Sequence, residues 1–266
     1  MFNFIHFVSL SLLFNGFYSS LSSPSRRIYG GNTAVPGQFP YYASLRVLSG
    51  AYHNCGGVIL SKLWILTCAH CIDGYEIPQG NLRIVYGTIY NEGTEKLHSI
   101  AKTLKHENWR EKEFIYDIGL IKLKCPIEFN ENVQPVKFYT GQIAAGDEVT
   151  VIGLGQTKFS ESAKVLQYLN TNIISIWECK SVCNLVNDNQ TCDLNLKNQI
   201  CTQSGPGYGI CHADSGGPLT KDGKLTGLAL FGLNCGGGLP NGYIFVSKFT
   251  EWIEKNTNSE ICIGTN

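Results

Sequence analysis

Three short segments, far apart in the chain, carry residue types that together make a serine nucleophile. They are Leu66-Thr67-Cys68-Ala69-His70-Cys71, then Tyr116-Asp117-Ile118-Gly119-Leu120-Ile121-Lys122-Leu123, then Cys211-His212-Ala213-Asp214-Ser215-Gly216-Gly217-Pro218-Leu219. A serine hydroxyl is a poor nucleophile near neutral pH. It needs an imidazole to take its proton and a carboxylate to hold that imidazole in the right tautomer. His70, Asp117 and Ser215 supply those types, and the glycines after Ser215 let the backbone turn so that the hydroxyl projects. Each segment alone has a plainer reading. Cys68 and Cys71 around His70 fit a zinc site, Asp117 fits the start of a strand, and the Asp-Ser-Gly-Gly-Pro stretch fits a turn. Their joint presence favours catalysis.

Such side chains need a rigid frame, and the sequence around them is β-rich. The chain has 266 residues, 43% hydrophobic and 11% aromatic, enough for a packed core. Its 21 Lys+Arg balance 21 Asp+Glu, which leaves no electrostatic footprint for nucleic acid or an anionic membrane. Strands are expected at Tyr41–Leu48, Cys55–Leu60, Trp64–Thr67, Leu82–Tyr86, Ile118–Leu123, Glu148–Ile152, Leu225–Phe231 and Tyr243–Val246, separated by Gly, Pro, Asn and Asp clusters. Short strands with regular turn punctuation indicate a barrel or sandwich, not alternating β-α units. Only the end reads as helical, with Phe249, Trp252 and Ile253 on one face.

The N-terminus sets the compartment. Ile5–Tyr18 is a nearly unbroken apolar run of about 14 residues, too short for a membrane span but suited to a secretory leader. Residues 1–22 are assigned to a signal peptide, 23–27 to a short propeptide and 28–266 to the mature domain. Arg26-Arg27 is a natural cut site, and cleavage after Arg27 leaves Ile28 as a new N-terminus. A secreted, extracellular setting lets the 11 cysteines oxidise and makes the sequon Asn189-Gln190-Thr191 usable.

The sequence resembles the trypsin/chymotrypsin-like serine peptidases from Ile28 to about Ile253. The resemblance rests on the three segments above together with Ile28-Tyr29-Gly30-Gly31, Asn54-Cys55-Gly56-Gly57, Gly153-Leu154-Gly155 and Trp252-Ile253, all in order. It implies an all-β fold of two packed six-stranded antiparallel β-barrels with a short C-terminal helix. His70 and Asp117 would come from the first barrel and Ser215 from the second. His70 would act as general base, Asp117 would orient it, Ser215 would attack, and the N–H groups of Ala213 and Ser215 would bind the oxyanion. The freed amine of Ile28 would pair with Asp214 and order the pocket. Disulfides would join Cys55 to Cys71, Cys179 to Cys201 and Cys211 to Cys235. Cys183 and Cys192 lie in an apparent insertion and are expected to pair, as are Cys125 and Cys262. Cys68 is left as a buried thiol.

Several positions depart from the family pattern. Ala213 stands where glycine is usual, Leu230 where a serine normally donates to the aspartate, Phe231 and Leu154 where tryptophan is common. The specificity pocket should have Gly209 at its base, Gly232 on a wall kept clear for a large side chain, and Asn241 near its floor. With no charge at Gly209, cleavage is expected after uncharged residues. The Thr88–Lys96 stretch offers only Glu92 and Glu95, against the roughly six to eight oxygens of a calcium site, so no metal or cofactor is expected. The expected partners are a protein or peptide substrate and an activating protease cutting after Arg27, with no nucleic acid, no membrane and a monomeric state. Two functions stand: a secreted serine endopeptidase made as a zymogen, or an inactive or weak homologue that binds without cutting.

Overall fold

The computed structural model describes residues 28–48, 52–74, 81–92, 97–111, 114–157, 162–185 and 197–258. The leader, Arg27, the sequon, Cys192 and Cys262 lie outside them. A two-residue strand, β1 (Asn32–Thr33), leads into six strands of a first sheet. These are β2 (Tyr42–Val47), β3 (Tyr52–Ile59), β4 (Trp64–Thr67), β5 (Leu82–Tyr86), β6 (Ile100–Lys105) and β7 (Gly119–Leu123). They run antiparallel in the order β5-β2-β3-β4-β7-β6. Reciprocal hydrogen bonds between Ile84 and His98 draw the outer strands together and curl the sheet into a barrel. Leu45, Trp64, Ile65, Ile84 and Leu120 fill it, each at most 1% exposed. Burying each such side chain stabilises by about 1.5–3 kcal/mol.

The second sheet uses β8 (Glu148–Gly153), β9 (Gln167–Ile174), β10 (Gln199–Gln203), β11 (Pro218–Lys221), β12 (Lys224–Gly232) and β13 (Asn241–Phe245). Their order is β9-β10-β13-β12-β11-β8, and β8 returns to pair with β9, so this barrel is closed; β1 adds to the flank of β9. Val151, Leu219, Ala229 and Tyr243 form its core together with Ile28. The fold is therefore all-β, as expected. Among the described residues two α-helices accompany it, α1 (Ile176–Leu185) and α2 (Thr250–Thr257). The first was not expected; the second buries Trp252 and Ile253 as its spacing predicts.

The bridges Cys55–Cys71, Cys179–Cys201 and Cys211–Cys235 are present. Cys183 is also disulfide-bonded. Cys125 corrects an expectation: it is an exposed free thiol, so the free thiols among the described residues are Cys68 and Cys125. Cys125 follows β7 beside Lys124, whose N–H donates to Ser99 at the start of β6. The anchor of α2, Trp252, bonds to Glu107 beyond the far end of β6, about 20 Å away at some 3.3 Å per residue.

Candidate active site

Strand pairing brings the first two candidate residues together. His70 lies three residues past the end of β4, and Asp117 two residues before β7 begins; Thr67 and Gly119 are direct antiparallel partners. Asp117 is fully buried. Its Oδ1 accepts the His70 backbone N–H at 2.8 Å, and its Oδ2 accepts from His70 Nδ1 at 2.5 Å. A carboxylate only accepts, so Nδ1 carries a proton and, in a neutral ring, Nε2 is left as an acceptor. The Phe114 ring meets the imidazole edge-on, 5.8 Å between centroids.

Ser215 sits on the loop between Cys211 and β11, clamped between the barrels. The N–H of Gly56 on β3 donates to Ser215 O at 2.8 Å, and the N–H of Gly216 donates to Ala229 O at 2.8 Å. A Cβ on Gly56 would stand 2.6 Å from Gly217 Cα, so this contact admits no side chain. His70, Phe114, Ser215, Leu230 and Phe231 line one cavity of about 250 Å³. The Ser215 hydroxyl donates to Leu230 O at 3.4 Å, while the neighbour of His70 Nε2 is Cys71 Sγ at 3.6 Å. Ser215 and His70 thus line one cavity, with the Ser215 hydroxyl directed to Leu230 O.

Behind the pair lies Cys68, which donates to Ala229 O at 3.3 Å. Burial, and then the Asp117 charge, push its thiol well above the usual range. Leu230 gives Asp117 no donor, so among the described residues the carboxylate is held by His70 alone. Because Cys71 is bridged to Cys55, one of the two thiols offered to zinc is spent.

The loop before Ser215 is strained and braced. Ala213 has φ +68°, left-handed backbone that disfavours a Cβ. Its carbonyl accepts from His53 Nε2 at 2.9 Å, so Nδ1 of that ring accepts from the Ser44 hydroxyl at 2.8 Å. Burial holds His53 down to about 4. Sequence reasoning missed His53, since a single histidine two residues before a cysteine has no periodic or motif signal. Among the described residues, the N–H groups of Ala213 and Ser215 have no acceptor. Asp214 is fully buried, with N–H donors from Gly155 at 2.8 Å and Cys211 at 2.9 Å. Burial pushes its carboxyl up to about 7, and no cation among the described residues pairs with it. Ile28 is buried in the second barrel, 1% exposed.

Gly209 and Asn241 lie against each other, and neither lines the cavity that holds Ser215. Asn241 is buried, and its Oδ1 accepts the Ile210 N–H at 3.2 Å. A Cβ on Gly209 would lie 3.0 Å from that oxygen. Gly232 lines the same cavity as Ser215 and Ile210. A Cβ there would stand 2.3 Å from the Ile210 carbonyl oxygen, so the position admits only glycine.

Comparison with known proteins agrees with this geometry. The family model described as Trypsin matches residues 28–253. Chymotrypsin-2 of Vespa crabro is 34% identical over 231 residues, 86% of this chain and 99% of the relative. Trypsin-1 of Astacus astacus is 34% identical over 243 residues, with 86% and 99% covered. Brachyurin of Leptuca pugilator is 32% identical over 239 residues, with 86% and 98% covered.

Proposed function

The chain belongs to the trypsin family and is a serine endopeptidase; from that premise we propose that it is secreted as a zymogen, is cut after Arg27, and cleaves proteins after uncharged residues. The observation that carries this reading is the pair of unbonded N–H groups at Ala213 and Ser215, beside a hydroxyl that shares a cavity with His70. Ser215 rotates from Leu230 O to His70 Nε2, loses its proton there and attacks the scissile carbonyl. The N–H groups of Ala213 and Ser215 take the oxyanion, a contribution of about 10²–10³ in rate for each donor. His70 returns the proton to the leaving amine, and Asp117 stabilises the imidazolium meanwhile. Water then repeats the sequence on the acyl-enzyme.

Activation supplies a missing charge. Asp214 is buried without a cation, and the α-amino group of Ile28, freed by the cut, is the ammonium that pairs with it. Gly209 brings no charge to the pocket floor and Asn241 brings a neutral amide, which favours uncharged side chains. The leader-like run and the disulfides support an oxidising, extracellular setting.

One observation favours the second reading, a homologue that binds without cutting: the Ser215 hydroxyl donates to Leu230 O rather than to His70. Labelling with a fluorophosphonate after controlled cleavage at Arg27 separates the two. Rapid labelling lost in Ser215→Ala is expected; a folded, processed sample that stays unlabelled establishes the binding module instead. Faster hydrolysis of Lys or Arg substrates than of Phe, Tyr or Leu substrates would refute the specificity.

A further inference from the structure

At the seam between the barrels one buried hydroxyl stands idle. Tyr42 opens β2 and pairs with Val58 of β3. Its Oη reaches back along β3, where a Cβ on Gly56 would stand 3.3 Å from it. The same Cβ would strike Gly217, whose N–H donates to Asp214 O at 3.0 Å. Tyr42 is 4% exposed, and its hydroxyl has no hydrogen-bond partner. A buried donor left unmet costs stability and asks for a reason. Burial, and then the Asp214 charge, push that hydroxyl well above its ordinary range, opposed in part by the Leu154 N–H and by Arg46. Leu154 stands between Gly153 and Gly155, and Cβ atoms on those glycines would lie 2.1 and 2.5 Å from Asp214 Oδ1. The other groups in this neighbourhood are engaged. Tyr243 also feels the Asp214 charge, yet its hydroxyl is bonded to Thr202 Oγ1 at 3.1 Å. Both ring nitrogens of His53 are taken, by Ala213 O and by the Ser44 hydroxyl, and Arg46 donates to Tyr90 O. Of these, Tyr42 alone has no bond to give up.

Asp214 has room for it. Each carboxyl oxygen accepts one backbone N–H, from Gly155 or from Cys211. An ionised carboxylate offers roughly four acceptor sites, so an ammonium can take one and still leave one for an O–H. We propose, on the premise that Ile28 pairs with Asp214, that Tyr42 is a positioning residue of the cleaved enzyme: its hydroxyl donates to the Asp214 carboxylate once the Ile28 ammonium is in place, and so helps to fix the serine loop. A hydrogen bond to a charged acceptor is stronger than a neutral one. A buried ion pair needs such added bonds to offset its desolvation. In the uncut chain the hydroxyl contributes nothing, so the effect of removing it changes sign between the two forms.

The test is Tyr42→Phe, which removes only the oxygen, in the uncut chain and in the chain cleaved at Arg27. Unfolding in denaturant at about pH 6 is followed with Ser215→Ala also present, to prevent self-digestion. The uncut midpoint should hold or rise, since an unmet donor is lost, and the cleaved midpoint should fall. Asp214→Asn should abolish the fall. In the active, cleaved enzyme the ordering equilibrium should weaken about tenfold, which moves the alkaline midpoint of kcat/KM about one pH unit towards neutral. An equal fall in both forms marks a packing role and overturns the proposal. So does an unmoved alkaline midpoint beside a normal wild-type limb. A flat limb in the wild type removes the Ile28–Asp214 pair itself, and the proposal with it.

Discussion

Ala213 holds its place at a cost. A residue with a Cβ in left-handed backbone gives up roughly 1–2 kcal/mol, and His53 grips its carbonyl. Ala213→Gly is expected to stabilise the fold by about 1 kcal/mol in denaturant unfolding and to raise kcat by easing the oxyanion donor into line; unchanged stability rejects the strain. Two buried groups beside it depend oppositely on pH. Burial holds His53 near 4 against an ordinary 6.5. The unfolded chain therefore binds a proton that the folded chain refuses, and stability falls as pH drops from 6.5 towards 4. Burial pushes Asp214 to about 7 from 3.8. Between those values the folded chain keeps a proton that the unfolded chain has lost, and stability falls as pH rises. The two trends offset each other in the uncut protein. Asp214→Asn leaves the histidine unopposed, so unfolding at pH 6.5 and 4.5 should show a steeper acid loss than the wild type, and an equal slope counts against the assignment.

At the level of elements, α2 acts as the clasp on the first barrel. Trp252 packs beside His106, 5.1 Å between ring centroids, and its Nε1–H donates to Glu107 at 2.8 Å. Trp252→Ala should cost about 3–5 kcal/mol, seen as a lowered denaturation midpoint; a loss under 1 kcal/mol would mean the helix is ornamental to the fold. This helix was legible in the sequence because its buried face is apolar, and so were the strands with long aliphatic runs, such as Leu82–Tyr86. The elements that were not legible hide their inward face behind polar chemistry. In β9 the inward residues Gln167 and Thr171 interrupt the apolar alternation, with Gln167 bonded to Leu166 O and Thr171 to Ser204. The buried residues of α1 are Cys179 and Cys183, so bridges anchor it rather than an apolar stripe, and periodicity had nothing to detect. The triad candidates were read from motifs, whereas the bond from His53 to the Ala213 carbonyl depends on a long-range approach that no residue type encodes.

The whole molecule works only if two barrels keep their register across the cleft. Gly56 on one touches Gly217 on the other, backbone to backbone. Gly56→Ala must therefore shift the serine loop, and a shift near 1 Å costs about 10² in rate; kcat/KM should fall by that order while the circular dichroism stays β-rich. Near-normal turnover would show that the interface yields. Cleavage at Arg27 tests the other global expectation. If the Ile28 ammonium orders the site through Asp214, activity of the processed form declines reversibly at alkaline pH as that amine deprotonates, and a flat alkaline limb excludes the pairing. The two free thiols among the described residues finally turn the protein into its own stopwatch. Cys125 is open to any alkylating reagent, whereas Cys68 is sealed beneath His70 and Asp117. The first reaction marks time zero, and the slow second one counts how often a folded molecule comes apart beneath His70 and Asp117.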